Sequence, residues 1–98
     1  MNYRIARFKV RASEAPAVEK AIIAFVGQVA DEPGTLRYES FREPDGVSYV
    51  HLMIFADDDA QAKHEGTAHM KAFLAELHPR CEEGPVFTDL GKVSGAGR

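Results

Sequence analysis

The fold is decided by residues 33–77, which read PGTLRYESFREPDGVSYVHLMIFADDDAQAKHEGTAHMKAFLAEL. Two alternating segments flank the turn signal Pro44-Asp45-Gly46, and this pattern predicts a β-hairpin. An acidic run at residues 57–59 predicts the start of a helix, because carboxylates are favourable at helix N-termini. Gly66 interrupts that helix, and Thr67 can cap a second helical segment that ends at residues 78–79.

The second segment of the hairpin, residues 47–55, is the most apolar part of the chain. It carries apolar residues on both of its faces, which is typical of a central strand covered on both sides. One face holds Val50, Leu52 and Ile54, and the other holds Tyr49, His51, Met53 and Phe55.

The remaining segments supply a strand, a helix and a last strand. Residues 2–11 alternate like a strand, and the apolar spacing from Val18 to Val29 predicts a helix that residues 31–34 end. Residues 80–85 are interpreted as a loop and residues 86–93 as the last strand. The order predicts an α+β fold, a ferredoxin-like βαββαβ sandwich with a four-stranded antiparallel sheet and helices on one face. We expect one domain over residues 1–93 and a loose tail at residues 94–98.

The face of the predicted sheet that carries no helices is expected to form a contact surface. Two helices cover one face of such a sheet, and we assign Tyr49, Met53 and Phe55 to the face left bare. An exposed apolar patch of this kind usually marks a contact surface, and a homodimer packed sheet against sheet would bury it.

Composition excludes several classes of protein. The chain has 98 residues, 12 basic and 15 acidic side chains and a formal charge of −3, which gives no electrostatic reason to expect nucleic acid. No apolar run approaches a membrane helix, and the charged, alternating start is unlike a signal peptide. The single cysteine, Cys81, excludes an internal disulfide and a Cys-based zinc site. We therefore expect a cytoplasmic protein without a membrane or nucleic-acid partner.

The histidines His51, His64, His69 and His78 are the main candidates for chemistry. No nucleophile motif or Gly-rich phosphate loop is present. His64 and His69 are five residues apart across Gly66, which is not the i, i+4 spacing of a helical zinc site; a metal site would need His51 as well. A neutral imidazole beside an apolar pocket can act as a general base near pH 7, and Tyr38 could orient a substrate hydroxyl. Structural or surface roles for each histidine remain open.

The motifs of residues 33–77 resemble those of the antibiotic biosynthesis monooxygenase family, which includes quinol monooxygenase-like proteins. The family has Pro-Gly-x-x-x-Tyr-Glu on one strand, matched here by Pro33, Gly34, Tyr38 and Glu39. It then has a histidine in the next helix and another before a Phe/Leu-rich segment, matched by His64, His69, Phe73 and Leu74. One departure is Phe55, since many members have Trp at that position, and its absence makes haem degradation less expected.

The resemblance implies a dimeric α+β barrel with an apolar cavity between sheet and helices. It implies a cofactor-free monooxygenase, without metal or flavin, that uses O₂ to oxidise a small electron-rich aromatic such as a quinol or an anthrone; haem is less expected. His64, His69 or His51 would accept the substrate proton, Tyr38 would hydrogen-bond the substrate, and Met53, Phe55 and Phe73 would form packing walls. The alternatives are a non-catalytic ligand-binding or structural dimer and another enzyme on the same barrel, because fold does not fix function.

Overall fold

The computed structural model describes all 98 residues, Met1–Arg98. Strand β1 spans Asn2–Val10, helix α1 Ala15–Val29, strand β2 Thr35–Arg42 and strand β3 Ser48–Phe55; helix α2 spans Asp58–Glu65, helix α3 Ala68–Leu77 and strand β4 Cys81–Leu90. Short 3-10 turns precede α1 and follow α3. The predicted order of elements is confirmed, with the second helix divided at Gly66.

The four strands form one antiparallel sheet in the order β2-β3-β1-β4. This is the ferredoxin-like arrangement predicted from the sequence, and β3 is one of the two central strands, as its two apolar faces indicate. The turn between β2 and β3 contains Gly46 at φ 79°, a left-handed conformation that glycine adopts without steric cost.

Helices α2 and α3 are capped as the sequence predicts, whereas the start of α1 has no side-chain cap. The side chain of Asp57 accepts a hydrogen bond from the backbone N–H of Ala60 at 2.8 Å, which satisfies one free donor at the start of α2. Thr67 does the same for the N–H of Met70 at the start of α3, at 3.2 Å. No helix is both long enough and apolar enough to span a bilayer.

The prediction of which sheet face is covered was wrong. Tyr49, Met53 and Phe55, assigned to the bare face, are all buried under the helices together with His51. Alternation along β3 separates its two sets of residues, but both are apolar, so alternation alone does not say which set the helices cover. The open face carries the alternate residues of each strand, which pair with one another across the sheet. Among them are Ile5, Phe41, Leu52, Ile54, Val86 and Leu90.

The boundaries of the last strand were also predicted wrongly. Residues 80–85 were interpreted as a loop because Gly84 and Pro85 are typical of turns, yet β4 begins at Cys81 and ends at Leu90. The strand lies at the edge of the sheet and its pairing with β1 shifts register near Glu83. An edge strand tolerates Gly and Pro there, since one side of its backbone makes no ladder hydrogen bonds.

The core lies between the covered sheet face and the helices. Phe25 of α1 stacks on Phe73 of α3 with ring centroids 4.5 Å apart, and Phe8 of β1 stacks on Tyr49 of β3 at 5.4 Å. The core cluster has ten buried residues: Phe8, Val10, Val18, Ile22, Phe25, Val29, Tyr49, Met70, Phe73 and Leu77.

Candidate active site

The break between α2 and α3 brings two histidines together. His64 lies in the last turn of α2 and His69 in the first turn of α3. In one continuous helix, residues five positions apart would point about 140° away from each other. Because Gly66 ends the first helix and Thr67 starts the second, both side chains instead converge on a single carboxylate.

That carboxylate belongs to Glu32, in the connection between α1 and β2. His64 Nδ1 lies 2.8 Å from Oε1 of Glu32, and His69 Nε2 lies 2.5 Å from Oε2. The hydroxyl of Thr35 donates a third hydrogen bond to Oε1 at 2.7 Å. Burial opposes ionisation of Glu32, but the hydrogen bonds from His69, Thr35 and His64 prevail, so its pKa lies below the usual glutamate range.

The ionised carboxylate fixes the proton positions on His64. A carboxylate only accepts hydrogen bonds, so the Nδ1–H of His64 must donate to Glu32. In the neutral ring the other nitrogen, Nε2, then carries a lone pair and no proton. The side chain of His64 is only 1% exposed, and its Nε2 has no hydrogen-bond partner. A buried acceptor without a partner is unusual, and it marks a place where a ligand hydroxyl could bind.

A cavity of about 200 Å³ lies beside His64, between the sheet and the helices. Most of its wall is apolar, and Met53 and Phe55, the predicted packing walls, both line it. The complete lining is Arg4, Met53, Phe55, His64, Glu65, Met70, Leu74 and Phe87. The structure thus brings one general-base candidate and two of the predicted wall residues to the same space.

The half-buried Tyr38 and the buried His51 form a separate hydrogen-bonded pair. The Tyr38 hydroxyl lies 2.7 Å from Nδ1 of His51. Burial lowers the pKa of His51 to about 4, so its ring is neutral at physiological pH. Burial and the charge of Glu32 raise the pKa of Tyr38, so its hydroxyl keeps its proton and donates to His51. Neither residue lines the cavity, although the Tyr38 ring packs 5.6 Å from that of His64.

The other predicted residues are placed as follows. His69 is 20% exposed and lies on the outer side of Glu32. Phe73 stacks on Phe25 in the core and does not line the cavity, so it supports the helices rather than the cavity wall. His51 bonds to Tyr38 and does not join His64 and His69, and no group of three or more His, Cys, Asp or Glu side chains could hold a metal ion.

Sequence reasoning missed Glu32 and Arg4. Glu32 was interpreted only as part of the segment that ends a helix, and no motif distinguishes it from neighbouring acidic residues. Arg4 was one residue of an alternating strand, yet it lines the cavity next to His64. A larger surface groove of about 560 Å³ lies between α1 and β2, but no histidine lines it.

Comparison with known proteins agrees with this architecture. The family model for antibiotic biosynthesis monooxygenase matches residues 1–76. A Caulobacter crescentus protein proposed to be an antibiotic biosynthesis monooxygenase is 32% identical; the match covers 95% of this chain and 90% of that one, with a TM-score of 0.87. SnoaB, a cofactor-independent oxygenase from Streptomyces nogalater, is 18% identical over 99% of this chain and 97% of its own, with a TM-score of 0.85. No curated protein matches the chain.

Proposed function

The chain belongs to the antibiotic biosynthesis monooxygenase family, and from that premise we propose that it is a cofactor-independent monooxygenase acting on a small electron-rich aromatic. The observation that carries this proposal is the unpartnered Nε2 of His64 at an otherwise mostly apolar cavity. A lone pair held there by the Glu32 hydrogen bond is positioned to take a proton from a bound hydroxyl.

The reaction needs little from the protein besides this base. When a quinol or the enol form of an anthrone loses its hydroxyl proton to Nε2, the electron pair remains on the oxygen and makes the ring a strong electron donor to O₂. For a quinol, one oxygen atom of O₂ becomes a hydroxyl on a ring carbon that carried hydrogen, the ring becomes the quinone, and the other oxygen atom leaves with two hydrogens as water. For an anthrone, one oxygen atom converts the ring CH₂ into a carbonyl, and the other leaves with the two hydrogens as water. The apolar walls exclude water during these steps, and the Glu32 carboxylate stabilises the imidazolium that forms.

Four of the predicted site residues have a role in this proposal. His64 is the base, and His69, hydrogen-bonded to the same carboxylate, is the outer histidine that exchanges protons with solvent. Met53 and Phe55 are the walls against which the ring packs. Tyr38 and His51 lie behind His64, and their roles as substrate-binding and catalytic residues stay predictions, as does that of Phe73.

The size of the cavity supports a small substrate. Small-molecule sites usually measure about 300–1,000 Å³, so a cavity of about 200 Å³ is small among them. We therefore favour a one- or two-ring quinol over a three-ring anthrone as the substrate. SnoaB, which shares this fold at 18% identity, is a cofactor-independent oxygenase, and the reaction proposed here is of the same kind.

We also propose that the protein is a homodimer through the open face of its sheet. The face that the helices leave uncovered presents apolar residues on all four strands, of which Phe41 is 51% and Val86 65% exposed. A second copy packed sheet against sheet would remove this surface from water and form the dimeric barrel. The domain of residues 1–93, the loose tail at residues 94–98 and the cytoplasmic location remain predictions.

Oxygen uptake by the chelator-treated protein tests the proposed reaction. The substrates are reduced naphthoquinols and anthrones, and ¹⁸O₂ reports whether an oxygen atom enters the product. We expect uptake above the rate of autoxidation, lost in the His64→Ala/His69→Ala variant and retained in His78→Ala, because His78 is exposed and lies outside the cavity. A folded protein that binds these compounds without consuming oxygen would instead be a ligand-binding protein.

A further inference from the structure

The second polar group at the cavity is the guanidinium of Arg4. Arg4 lies on β1 opposite Met53, on the sheet face that the helices cover. Its Nη1 donates to Oε1 of Glu65 at 3.3 Å, and its guanidinium lies 4.9 Å above the centre of the Phe87 ring. Its Nε, however, is buried and has no hydrogen-bond partner. The ion pair and the ring contact hold the guanidinium in place while one donor stays free.

A free guanidinium N–H in this position has a defined chemical preference. Arginine remains charged at all relevant pH values, so Nε–H can only donate, and an anionic oxygen is its strongest acceptor. Leaving such a donor buried without a partner costs free energy that a ligand oxygen would recover. Two residues that line the cavity therefore carry an unpartnered buried atom, a donor on Arg4 and an acceptor on His64.

These two unpartnered atoms can both bind one substrate hydroxyl, His64 before it loses its proton and Arg4 afterwards. A hydroxyl can donate its proton to Nε2 of His64, and the oxyanion that remains can accept from Nε–H of Arg4. A carbonyl, a carboxylate or an aliphatic chain would satisfy at most one of the two atoms. The match selects an aromatic alcohol, whose oxygen ionises readily and whose ring fits the apolar walls.

We propose that Arg4 is a catalytic residue that binds the oxyanion formed when the substrate hydroxyl loses its proton. In the step itself the substrate O–H bond breaks, the proton forms a new bond to Nε2 of His64, and the electron pair stays on the oxygen beside Arg4. This inference rests on the proposed function for the oxidation that follows, but the binding of a phenolate does not need oxygen.

The charges around the cavity determine whether a substitution strengthens or weakens phenolate binding. Glu65 lines the cavity and pairs with Arg4, and Asp89 lies 3.6 Å from the same Nη1. Both carboxylates oppose a bound anion, but Asp89 is 78% exposed and therefore well screened. The titratable groups in contact with the His64 ring are Glu32 and Tyr38. Removing the charge of Glu65 should therefore favour the phenolate, and removing that of Arg4 should disfavour it.

The test measures binding of 4-nitrophenol across a pH series. Its visible absorption reports ionisation, and it does not react with oxygen. We expect the unmodified protein to prefer the phenolate, and Arg4→Gln to weaken phenolate binding about tenfold while changing neutral phenol binding little, as for loss of one charge-assisted hydrogen bond. Arg42→Gln, which removes an arginine paired with Glu19 outside the cavity, should bind like the unmodified protein.

Each other outcome is decisive. Equal phenolate binding by Arg4→Gln and the unmodified protein, or no binding of either form by the unmodified protein, overturns the inference. If Arg4→Gln does not fold, Arg4→Lys decides, because lysine keeps the charge but has no Nε–H: weaker phenolate binding supports the role of Arg4, and unchanged or tighter binding overturns it. Phenolate binding through Arg4 without any oxygen uptake would refute only the proposed oxidation, whereas oxidation that Arg4→Gln leaves unaffected would refute only this inference.

Discussion

Acid should destabilise this protein in a pH range set by His51. The pKa of a histidine is ordinarily near 6.5, and burial lowers that of His51 to about 4. Below pH 6.5 the unfolded chain therefore binds a proton that the folded protein does not, so stability falls as the pH falls from 6.5 to about 4 and levels off below that. At ~1.36 kcal/mol per pKa unit, the loss from this one residue is about 3 kcal/mol.

Urea unfolding at a series of pH values isolates this contribution when a matched variant is included. In the Tyr38→Phe/His51→Phe variant both hydrogen-bonding partners become apolar rings of similar shape, so no buried polar atom is left unpartnered. The unmodified protein should lose about 3 kcal/mol more free energy of unfolding than this variant between pH 7 and pH 4. Parallel stability curves for the two proteins would refute the assignment of a buried, neutral His51.

Three further predictions concern the site and the helices. Glu32→Gln removes the charge that fixes the proton on His64, so the kcat of oxygen uptake should fall roughly tenfold to a hundredfold while KM changes little. The pH profile of kcat should also shift, and an unaltered pH profile would contradict the positioning role of Glu32. A Cβ on Gly34 would lie 2.5 Å from the Cβ of Ala60, so Gly34→Ala should lower the free energy of unfolding in urea by about 1–3 kcal/mol. The double variant Gly34→Ala/Ala60→Gly should recover most of this loss, and failure to recover it would place the strain elsewhere. Asp57→Ala should cost about 1 kcal/mol through loss of the α2 cap, measured by thermal unfolding, and Asp59→Ala, which removes only an exposed ion pair, should cost less.

The order and type of the elements follow from local signals in the sequence. Alternation in β1, β2 and β3, helical spacing in α1 and the caps at Asp57 and Thr67 are each encoded within a few residues. The covered face of the sheet is not encoded this way, because β3 is apolar on both sides and the choice depends on how the helices fit. The start of β4 was missed because Gly84 and Pro85 are tolerated on an edge strand.

The candidate site was only partly predictable for a related reason. His64 and His69 stand out by type and spacing, and the family motif supports them. Glu32, which both contact, lies 32 and 37 positions away in sequence, and Arg4 lies 61 positions from its partner Glu65. Such pairings exist only once the chain is folded, and nothing in the local sequence of Glu32 or Arg4 distinguishes them.

The Glu32 carboxylate is hydrogen-bonded to three separate segments of the chain, which are β2, α2 and α3. Because the site depends on these contacts, the natural ligand can be sought through its effect on folding, without assuming a reaction. The cavity wall and its base exist together only in the folded protein, so a compound that fills the cavity stabilises the whole domain. At a concentration of 100 times its Kd, a ligand adds about 2.7 kcal/mol, which for a domain of this size raises Tm by roughly 10–20 °C. A thermal-shift screen of aromatic alcohols can therefore rank natural metabolites by affinity before any product is known.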